Sequence, residues 1–444
     1  MALKALDIYK LLPKKNCKEC GEPTCLTFAM KLASGKTDIE KCPYLDEEAK
    51  KILGASTRPP IQRVKIGVGE RSFAVGDEFV QFRHEKTFYH QPGIMVKVSD
   101  LWTDDRIREI VGNVRDGVLV RIGTDLRLDG IAVTNDSGSA EEFSRAVAAV
   151  EAEADLPEVL MAGDPVVMEA GLSVCGAYRP LISAATFDNY PAMCALSKKF
   201  GCPLVIRAES LEKVAELSTL ASKEGAAALV IDAFPATLSD YINKATAIRQ
   251  NAITRTVPEL GYPVFFDTTA TAMQDAALAL GVDKYASVLV CDPLSIPSRD
   301  ALLTLRQNIY TDPQKPIQMN PGIYRVGEPD RTSPVFLSVN FSLTYFTLQG
   351  YLEASRVPCY MLVVDTEGFS VLTAVAGGKL NETLVAESIR NTGLESEVDH
   401  RTLIIPGYAA PLSGKIEEET GWKVLVGPRD AAEIAEFLEK EWKN

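Results

Sequence analysis

From about residue 93 to about residue 310 the chain repeats one pattern. A short apolar, β-branched run is followed by a longer stretch with helical periodicity. The runs are GIMVKVSD (93–100), GIAVTND (130–136), EVLMAGD (158–164), PLISAAT (180–186), PLVIRAE (203–209), ALVIDAF (228–234), PVFFDTT (263–269) and SVLVCDP (287–293). Such runs read as buried strands. Between most of them lie helices. Ala140 to Glu153 follows Ser139, and Leu211 to Glu224 sits between Ser210 as N-cap and Gly225 as stop. Leu238 to Ile253 and Thr271 to Leu280 complete the set. Eight parallel-type strands separated by helices are the count of a (β/α)8 barrel. A doubly wound sheet is the alternative. Eight successive units without a Gly-rich dinucleotide loop favour closure.

The flanks differ. ALDIYKLLP reads as an amphipathic helix ending at Pro13, Asp46 to Leu53 as a second one, and GASTRPP (54–60) as a linker. Residues 61–100 alternate apolar and polar positions, as hairpins do. Residues 295–330, rich in proline, read as a second connection. A compact α/β unit then begins at PVFLSV (334–339) and closes with WKVLVGPRD and a final helix. Within it, residues 360–380 are expected to give a strand, a turn and a second short strand running into Ala376-Gly377-Gly378. Three domains follow: 1–57, 58–320 with the barrel and its lead-in, and 321–444 as a Rossmann-like α/β sandwich.

Cysteine spacing changes the picture at the N-terminus. Cys17, Cys20, Cys25 and Cys42 stand as C-x2-C-x4-C-x16-C, with Pro43 after the last. Thiolates are soft ligands for iron–sulfur clusters or zinc. Three clustered cysteines and a distant Cys-Pro are the usual arrangement of a 4Fe-4S site. Structural zinc more often pairs its ligands two and two. Cys25 should open a short helix, with Leu26, Ala29, Met30 and Ala33 on one face and Gly35 as stop. No acid–base pair accompanies the motif, so its expected work is electron transfer.

The 444 residues carry a formal charge of −13, which argues against a nucleic-acid partner. No secretory signal and no apolar run long enough for a membrane span are seen, so a cytoplasmic protein is expected. Cys175, Cys194, Cys202, Cys291 and Cys359 are scattered and read as buried core thiols. Only three histidines are present, and His84 and His90 read as strand residues rather than metal ligands. Acidic residues end most barrel strands: Asp100, Asp136, Asp164, Glu209, Asp232, Asp267 and Asp292. That is the face where barrel enzymes keep their sites. Capping of the next helix explains the same residues.

Three strand ends of the last unit carry small or Gly-rich loops: Thr373 to Gly378, Pro406 to Gly414 and Val426 to Asp430. Open α/β sheets bind ligands across their strand C-termini. A nucleotide-like or corrinoid ligand fits there, and so do ordinary tight turns. The corrinoid signature Asp-x-His-x-x-Gly is absent, because Asp399-His400 is followed by RTLI.

Taken together, KKNCKECGEPTCLTFAMKLASGK…CPY, the barrel pattern and the loops TAVAGGK, IIPGYAAPLSG and VGPRDA resemble the large subunits of corrinoid iron–sulfur proteins of the acetyl-CoA (Wood–Ljungdahl) pathway. The resemblance covers essentially the whole chain. It implies a 4Fe-4S cluster on Cys17, Cys20, Cys25 and Cys42. It implies a corrinoid on the C-terminal domain, held base-off without a protein nitrogen ligand. Its contacts would be Thr373, Ala374, Gly377, Gly378, Gly407, Ala409, Gly427 and Pro428, with Asn340, Thr344 and Tyr345 at the first strand–helix junction. None is a catalytic acid or base. The implied function is methyl carriage. The Co(I) corrinoid accepts a methyl group from methyltetrahydrofolate on a separate methyltransferase and delivers it to acetyl-CoA synthase/CO dehydrogenase. The cluster re-reduces Co(II). A smaller barrel subunit would complete a heterodimer, and linkers 54–60 and 310–332 would be hinges. Two other readings stay open: an iron–sulfur electron-transfer subunit without corrinoid, and a barrel pterin methyltransferase.

Overall fold

The computed structural model describes residues 5–33, 37, 41–46, 49, 59–82, 85, 88, 90–232, 234–255, 257–269, 271–311 and 316–442. The expected helix 46–53, the stop at Gly35, most of linker 54–60 and His84 fall largely or wholly outside them. The chain divides into two compact units, residues 1–117 with 127–310 and residues 118–126 with 311–444.

The first unit begins with helices Ala5–Leu11 and Cys25–Ala33. A hairpin follows, β1 (Val64–Val68) against β2 (Arg71–Val75), and then β3 (Gly93–Ser99). Strands β4 (Leu119–Arg121) and β5 (Thr124–Leu126) form a small hairpin that belongs to the other unit. The chain then supplies β6 (Gly130–Thr134), β7 (Glu158–Met161), β8 (Leu181–Ala185), β9 (Leu204–Arg207), β10 (Leu229–Asp232), β11 (Val264–Asp267) and β12 (Ala286–Cys291). With β3 these close a parallel barrel in the order β3-β6-β7-β8-β9-β10-β11-β12. All eight strands are those expected from the apolar runs.

The period of two explains the barrel's filling. Met95, Ala132, Val159, Leu181, Val205, Val230, Phe265 and Val288 point inward and pack with Val64, Ile66 and Val75 of the β1–β2 hairpin. The hairpin therefore plugs the end of the barrel where the strands begin. Gly93 opens β3 because Phe73 lies over it, and a Cβ there would come within 2.3 Å of the Phe73 ring. Outside, helices start where the sequence says. Ser139 and Ser210 cap through Glu142 N and Lys213 N, and Gly225 stops its helix at φ +83°.

One buried ion pair ties the barrel to the segment before it. Arg249, 3% exposed, pairs with Glu78, donates to the carbonyls of Gln81 and Val80, and lies against the rings of Phe88 and Tyr285. Arg249→Met should lower stability by about 3–5 kcal/mol, because Glu78 then keeps its buried charge without a partner. A urea midpoint that falls with an unchanged m-value is the expected readout.

The second unit holds β13 (Gly322–Val326), β14 (Val335–Val339), β15 (Cys359–Val364), β16 (Thr402–Ile405) and β17 (Lys423–Val426) in the order β13-β15-β14-β16-β17. Only β13 runs antiparallel. β13 lies inside the stretch read as a connection. GIYRV is a short edge strand, too weak a signal beside the flanking prolines. Alternation again sorts the layers. Val335, Leu337 and Val339 face one core, with Val385, Ile389 and Ile416. Phe336, Met361 and Ile404 face another, with Tyr345, Leu352, Ile434 and Leu438. The result is a helix–sheet–helix sandwich.

The expected second strand before Gly377 is instead a helix, Val371–Ala376. Five of the six residues of VLTAVA are apolar, so periodicity alone does not separate strand from helix. Val371 and Ala374 are buried on one helical face, and Gly377 N returns to Thr373 O at 2.9 Å.

Candidate functional site

The four N-terminal cysteines are brought together. Cys17, Cys20, Cys25 and Cys42 line one small pocket with Asn16, Thr24 and Phe28. Left-handed backbone at Asn16 (φ 47°), Lys18 (φ 66°) and Gly21 (φ 83°) folds the loop tightly. Asn16 Oδ1 accepts from Cys25 N at 2.8 Å and Thr24 Oγ1 accepts from Thr27 N at 3.1 Å, so the loop itself caps the helix that Cys25 begins. The pair Glu22–Lys31 at 2.7 Å and the bond from Tyr44 Oη to Glu19 at 2.8 Å tie its edges.

The buried face of that helix is Cys25, Phe28, Ala29 and Leu32, packed with Ile8, Leu12, Cys42 and Leu45. Leu26 and Met30, expected on the packed face, are 40% and 59% exposed. The helix turns inward around the cysteine that must face the pocket, which rotates Leu26 out.

All four thiols are free. Burial pushes the thiol of Cys42 up, against the Tyr44 amide that lowers it, and Cys20, Cys25 and Cys17 add to the rise. Such a set binds metal only by releasing protons. A single tetrahedral zinc would hold its sulfurs about 3.8 Å apart. Among the described residues, the three-donor group found within 4.8 Å is another one, Glu151, Glu158 and Cys175. The four cysteines converge on one pocket at the C-x2-C-x4-C-x16-C spacing, the donor set that a 4Fe-4S core takes.

The second site is a cleft of about 630 Å³ in the C-terminal unit. It lies at the C-terminal ends of β14 and β16, adjacent strands whose chains leave in opposite directions. This is the topological switch point, where open α/β sheets bind ligands. Its walls are mostly apolar: Phe341, Leu343, Leu348, Leu372, Pro406 and Tyr408. Hydroxyls of Thr344, Thr347, Tyr351 and Ser370 stand among them, and Arg429 and Asp430 are the charged lining residues. Leu343, Leu372 and Tyr408 on the rim are 65%, 59% and 46% exposed. Gly407 is required by close approach, since a Cβ would meet Arg429 N and Pro428 C at 2.8 Å.

Of the residues named from sequence, Thr344, Gly427 and Pro428 line this cleft. Gly407 supports it from beneath. Thr373 reaches its edge through Ser370 Oγ, 3.1 Å away. Ala374 and Ala409 are fully buried behind it. Gly377 and Gly378 end the short helix, and Gly378 borders a separate acidic groove with Asp365, Glu367 and Glu387. Tyr345 does not line the cleft: it is buried with Leu352 and Met361 in the adjoining core, edge-on to Tyr324. Leu343, Leu372, Tyr408 and Arg429 line the cleft without having been singled out. They sit beside the chosen small residues, and exposed apolar side chains in those loops are the signal that finds them.

Asn340 is engaged in holding a loop. Its Oδ1 accepts from Thr366 N, Thr366 Oγ1 and Gly368 N at 2.9–3.0 Å, and its Nδ2 donates to Gln318 and Asp365. Asn340→Ala leaves the buried amides of Thr366 and Gly368 unmet, while the Thr366 hydroxyl keeps Phe369 O, and should cost about 2–4 kcal/mol. The checking measurement is faster amide exchange at residues 366–370.

His400 stands at the other end of β16, where Nε2 lies 2.9 Å from Ser333 O and Nδ1 accepts from Thr402 N. Among the described residues no histidine lines the cleft.

The barrel's acidic strand ends are mostly tied internally. Asp100 accepts from Asn135, Asp136 N, Ser137 N and Ser137 Oγ, and Asp164 caps the helix Pro165–Cys175. Burial raises the carboxyl of Asp136, but Ser99, Lys97 and Thr134 outweigh it and hold the group below its ordinary value. Asp232 pairs with Arg207 at 2.7 Å, yet burial still pushes it up. The scattered thiols are buried, and burial lifts Cys194 to about 11 and Cys202 and Cys359 to about 12.

Comparison with known proteins follows the same division. A family profile described as "Putative Fe-S cluster" matches residues 12–44. One described as "CO dehydrogenase/acetyl-CoA synthase delta subunit" matches residues 63–438. The corrinoid/iron–sulfur protein large subunit of Moorella thermoacetica is 41% identical over 439 residues, covering 98% of each chain. This chain belongs to that large-subunit family. Its archaeal relatives carry another name. The acetyl-CoA decarbonylase/synthase complex subunit gamma of Methanopyrus kandleri is 38% identical over 99% of this chain and 98% of its own. That of Methanothermobacter thermautotrophicus is 36% identical over 99% of both. The large-subunit family thus matches from the cysteine loop through the cleft. No described helix is long and apolar enough to cross a membrane.

Proposed function

We propose that this chain is a methyl carrier of the acetyl-CoA pathway, with a corrinoid in the C-terminal cleft and a 4Fe-4S cluster on Cys17, Cys20, Cys25 and Cys42. The observation that carries this reading is the cleft itself, open, apolar and placed at the sheet's switch point in a chain of this family. When bound, the corrinoid supplies a cobalt centre that accepts and releases a methyl group, and the cluster supplies single electrons. The chain's own residues supply position. Gly427, Pro428, Pro406 and Gly407 present backbone without bulk, so a broad flat ligand can lie against them. Leu343, Leu372 and Tyr408 exclude water from its edge. Thr344, Thr347, Ser370 and Thr373 offer hydroxyls to amide side chains of the macrocycle. Among the described residues no histidine lines the cleft, so none of them would supply nitrogen to the cobalt, in keeping with a corrinoid held base-off.

The exposed apolar rim supports a smaller subunit that covers the outer face. A methyltetrahydrofolate-dependent methyltransferase and acetyl-CoA synthase/CO dehydrogenase would exchange the methyl group with it in turn. Domains 1–57, 58–320 and 321–444 then divide electron supply, scaffold and cargo. The test is EPR with cobalt and iron analysis on protein purified anaerobically together with its small subunit. A low-spin Co(II) signal without nitrogen splitting and about four irons per chain are expected. Iron without cobalt would overturn the carrier reading. Nitrogen splitting would overturn the base-off part.

A further inference from the structure

The four N-terminal cysteines differ in exposure. Cys25 and Cys42 are buried and Cys20 is half-buried, but Cys17 is exposed. A cluster on these sulfurs therefore meets solvent at its Cys17 edge, and a protein electron donor must approach it there. Around Cys17 the chain reads KLLPKKNCKEC (10–20), with four lysines and one glutamate in a chain of net charge −13. Lys14, Lys15 and Lys18 are exposed. Lys14 and Lys18 stand at φ 55° and 66°. Glycine or asparagine adopts such backbone more readily, so the turn itself does not ask for lysine.

The neighbouring charges are already engaged. Glu22 pairs with Lys31, Lys10 pairs with Asp7, and Glu19 accepts from Tyr44 Oη. Lys15 Nζ lies over the Tyr44 ring, 3.9 Å from its centre, and Lys14 Nζ over the Tyr9 ring at 5.6 Å. A ring face holds an ammonium in position and leaves its charge in place. Among the described residues none of Lys14, Lys15 and Lys18 has a carboxylate partner. Three unneutralised positive charges thus flank the exposed cysteine within one turn of chain. On an acidic protein such a patch attracts an acidic partner and fixes its orientation, while the rest of the surface repels it. Given the electron-supply role proposed for the cluster, we propose that Lys14, Lys15 and Lys18 are the docking surface for a small acidic electron-carrier protein. One electron leaves the carrier's reduced centre and enters the oxidised 4Fe-4S cluster at the Cys17 edge. No bond forms or breaks, and no proton moves.

The experiment is stopped-flow reduction of the oxidised full-length chain, purified anaerobically with its small subunit. The donor is reduced plant-type ferredoxin, a small acidic 2Fe-2S protein whose visible bands return as it gives up its electron. The parent rate should fall roughly tenfold between about 0.02 and about 0.5 M salt. Lys14→Glu, Lys15→Glu and Lys18→Glu combined should slow the reaction roughly tenfold or more at low salt, with iron content unchanged. Lys14→Arg, Lys15→Arg and Lys18→Arg combined should keep the parent rate. So should the same charge change placed on the barrel helices, Lys199→Glu, Lys213→Glu and Lys223→Glu. Methyl viologen radical, a small cation, should reduce the cluster of every variant without slowing. A cluster unfit for electron supply would fail with the radical, whereas a wrong docking surface would fail only with ferredoxin. A parent rate independent of salt, a loop variant with full iron reduced at the parent rate, or equal slowing by the barrel variant would each overturn the inference. A parent chain that the radical reduces and ferredoxin does not would overturn it as well.

Discussion

Cys25→Ser should strip iron from the chain, from about four atoms to less than one, and bleach the visible absorption of the cluster. The effect is large because Cys25 does three things at once. Its amide is fixed by Asn16 Oδ1, its side chain begins the helix Cys25–Ala33, and its sulfur faces the pocket shared with Cys17, Cys20 and Cys42. Loss of one ligand therefore disturbs the loop that presents the others. The N-terminal core is small, centred on Ile8, Phe28, Ala29 and Leu32. Such a core depends on its metal for stability. Cobalt bound in the C-terminal cleft should be unaffected, since that cleft is built from residues 336–434. Stoichiometric iron in Cys25→Ser would place the ligand set elsewhere.

Thr344→Trp is the matching test for the cleft. Thr344 is half-buried on the wall at the start of the helix Ser342–Ser355. An indole there occupies space that a flat macrocycle needs, without entering the packed layer behind it. Corrinoid content should drop at least tenfold while the thermal midpoint stays within a few degrees. That pairing separates ligand exclusion from unfolding, because each lost kcal/mol would move the midpoint of a domain this size by about 2–4 °C, so unfolding of the unit would show as a far larger shift. Full corrinoid loading in Thr344→Trp would remove the cleft from the binding site.

The barrel was legible because its strands are continuous apolar runs bounded by Asp, Ser or Pro, and each has one possible role. Helix 371–376 was not. Five of its six residues are apolar with no helical or strand period among them, and only the surrounding core decides its form. Within the candidate sites, the cysteine loop could be read residue by residue, since spacing alone brings the ligands together. The cleft could be read only as three loops. Which side chain in a loop faces the ligand depends on the angle at which β14 and β16 release their helices. That is why Thr344 lies on the wall while Tyr345, one residue on, turns away from it and is buried in the adjoining core. Asn340 shows the same limit, because its partner loop at 366–368 is set by tertiary folding.

The hairpin of β4 and β5 has a consequence for dissection. Its turn residues Ile122 (φ 54°) and Gly123 (φ 67°) both adopt left-handed backbone, as a type I′ turn needs. A β-branched residue rarely accepts this conformation. Here Ile122 packs against the apolar cluster that holds Met319 and Tyr345, and Asn320 Nδ2 donates to Gly123 O at 2.6 Å. The C-terminal unit is therefore discontinuous in the gene. A fragment expressed from residue 311 would lack nine residues of its own structure, 118–126, and expose the apolar surface they cover. The excised barrel would carry a stray hairpin with nothing to fold against. Halves made by cutting at 310 should be poorly soluble alone and regain their fold when co-expressed, behaving as complementing fragments rather than as modules.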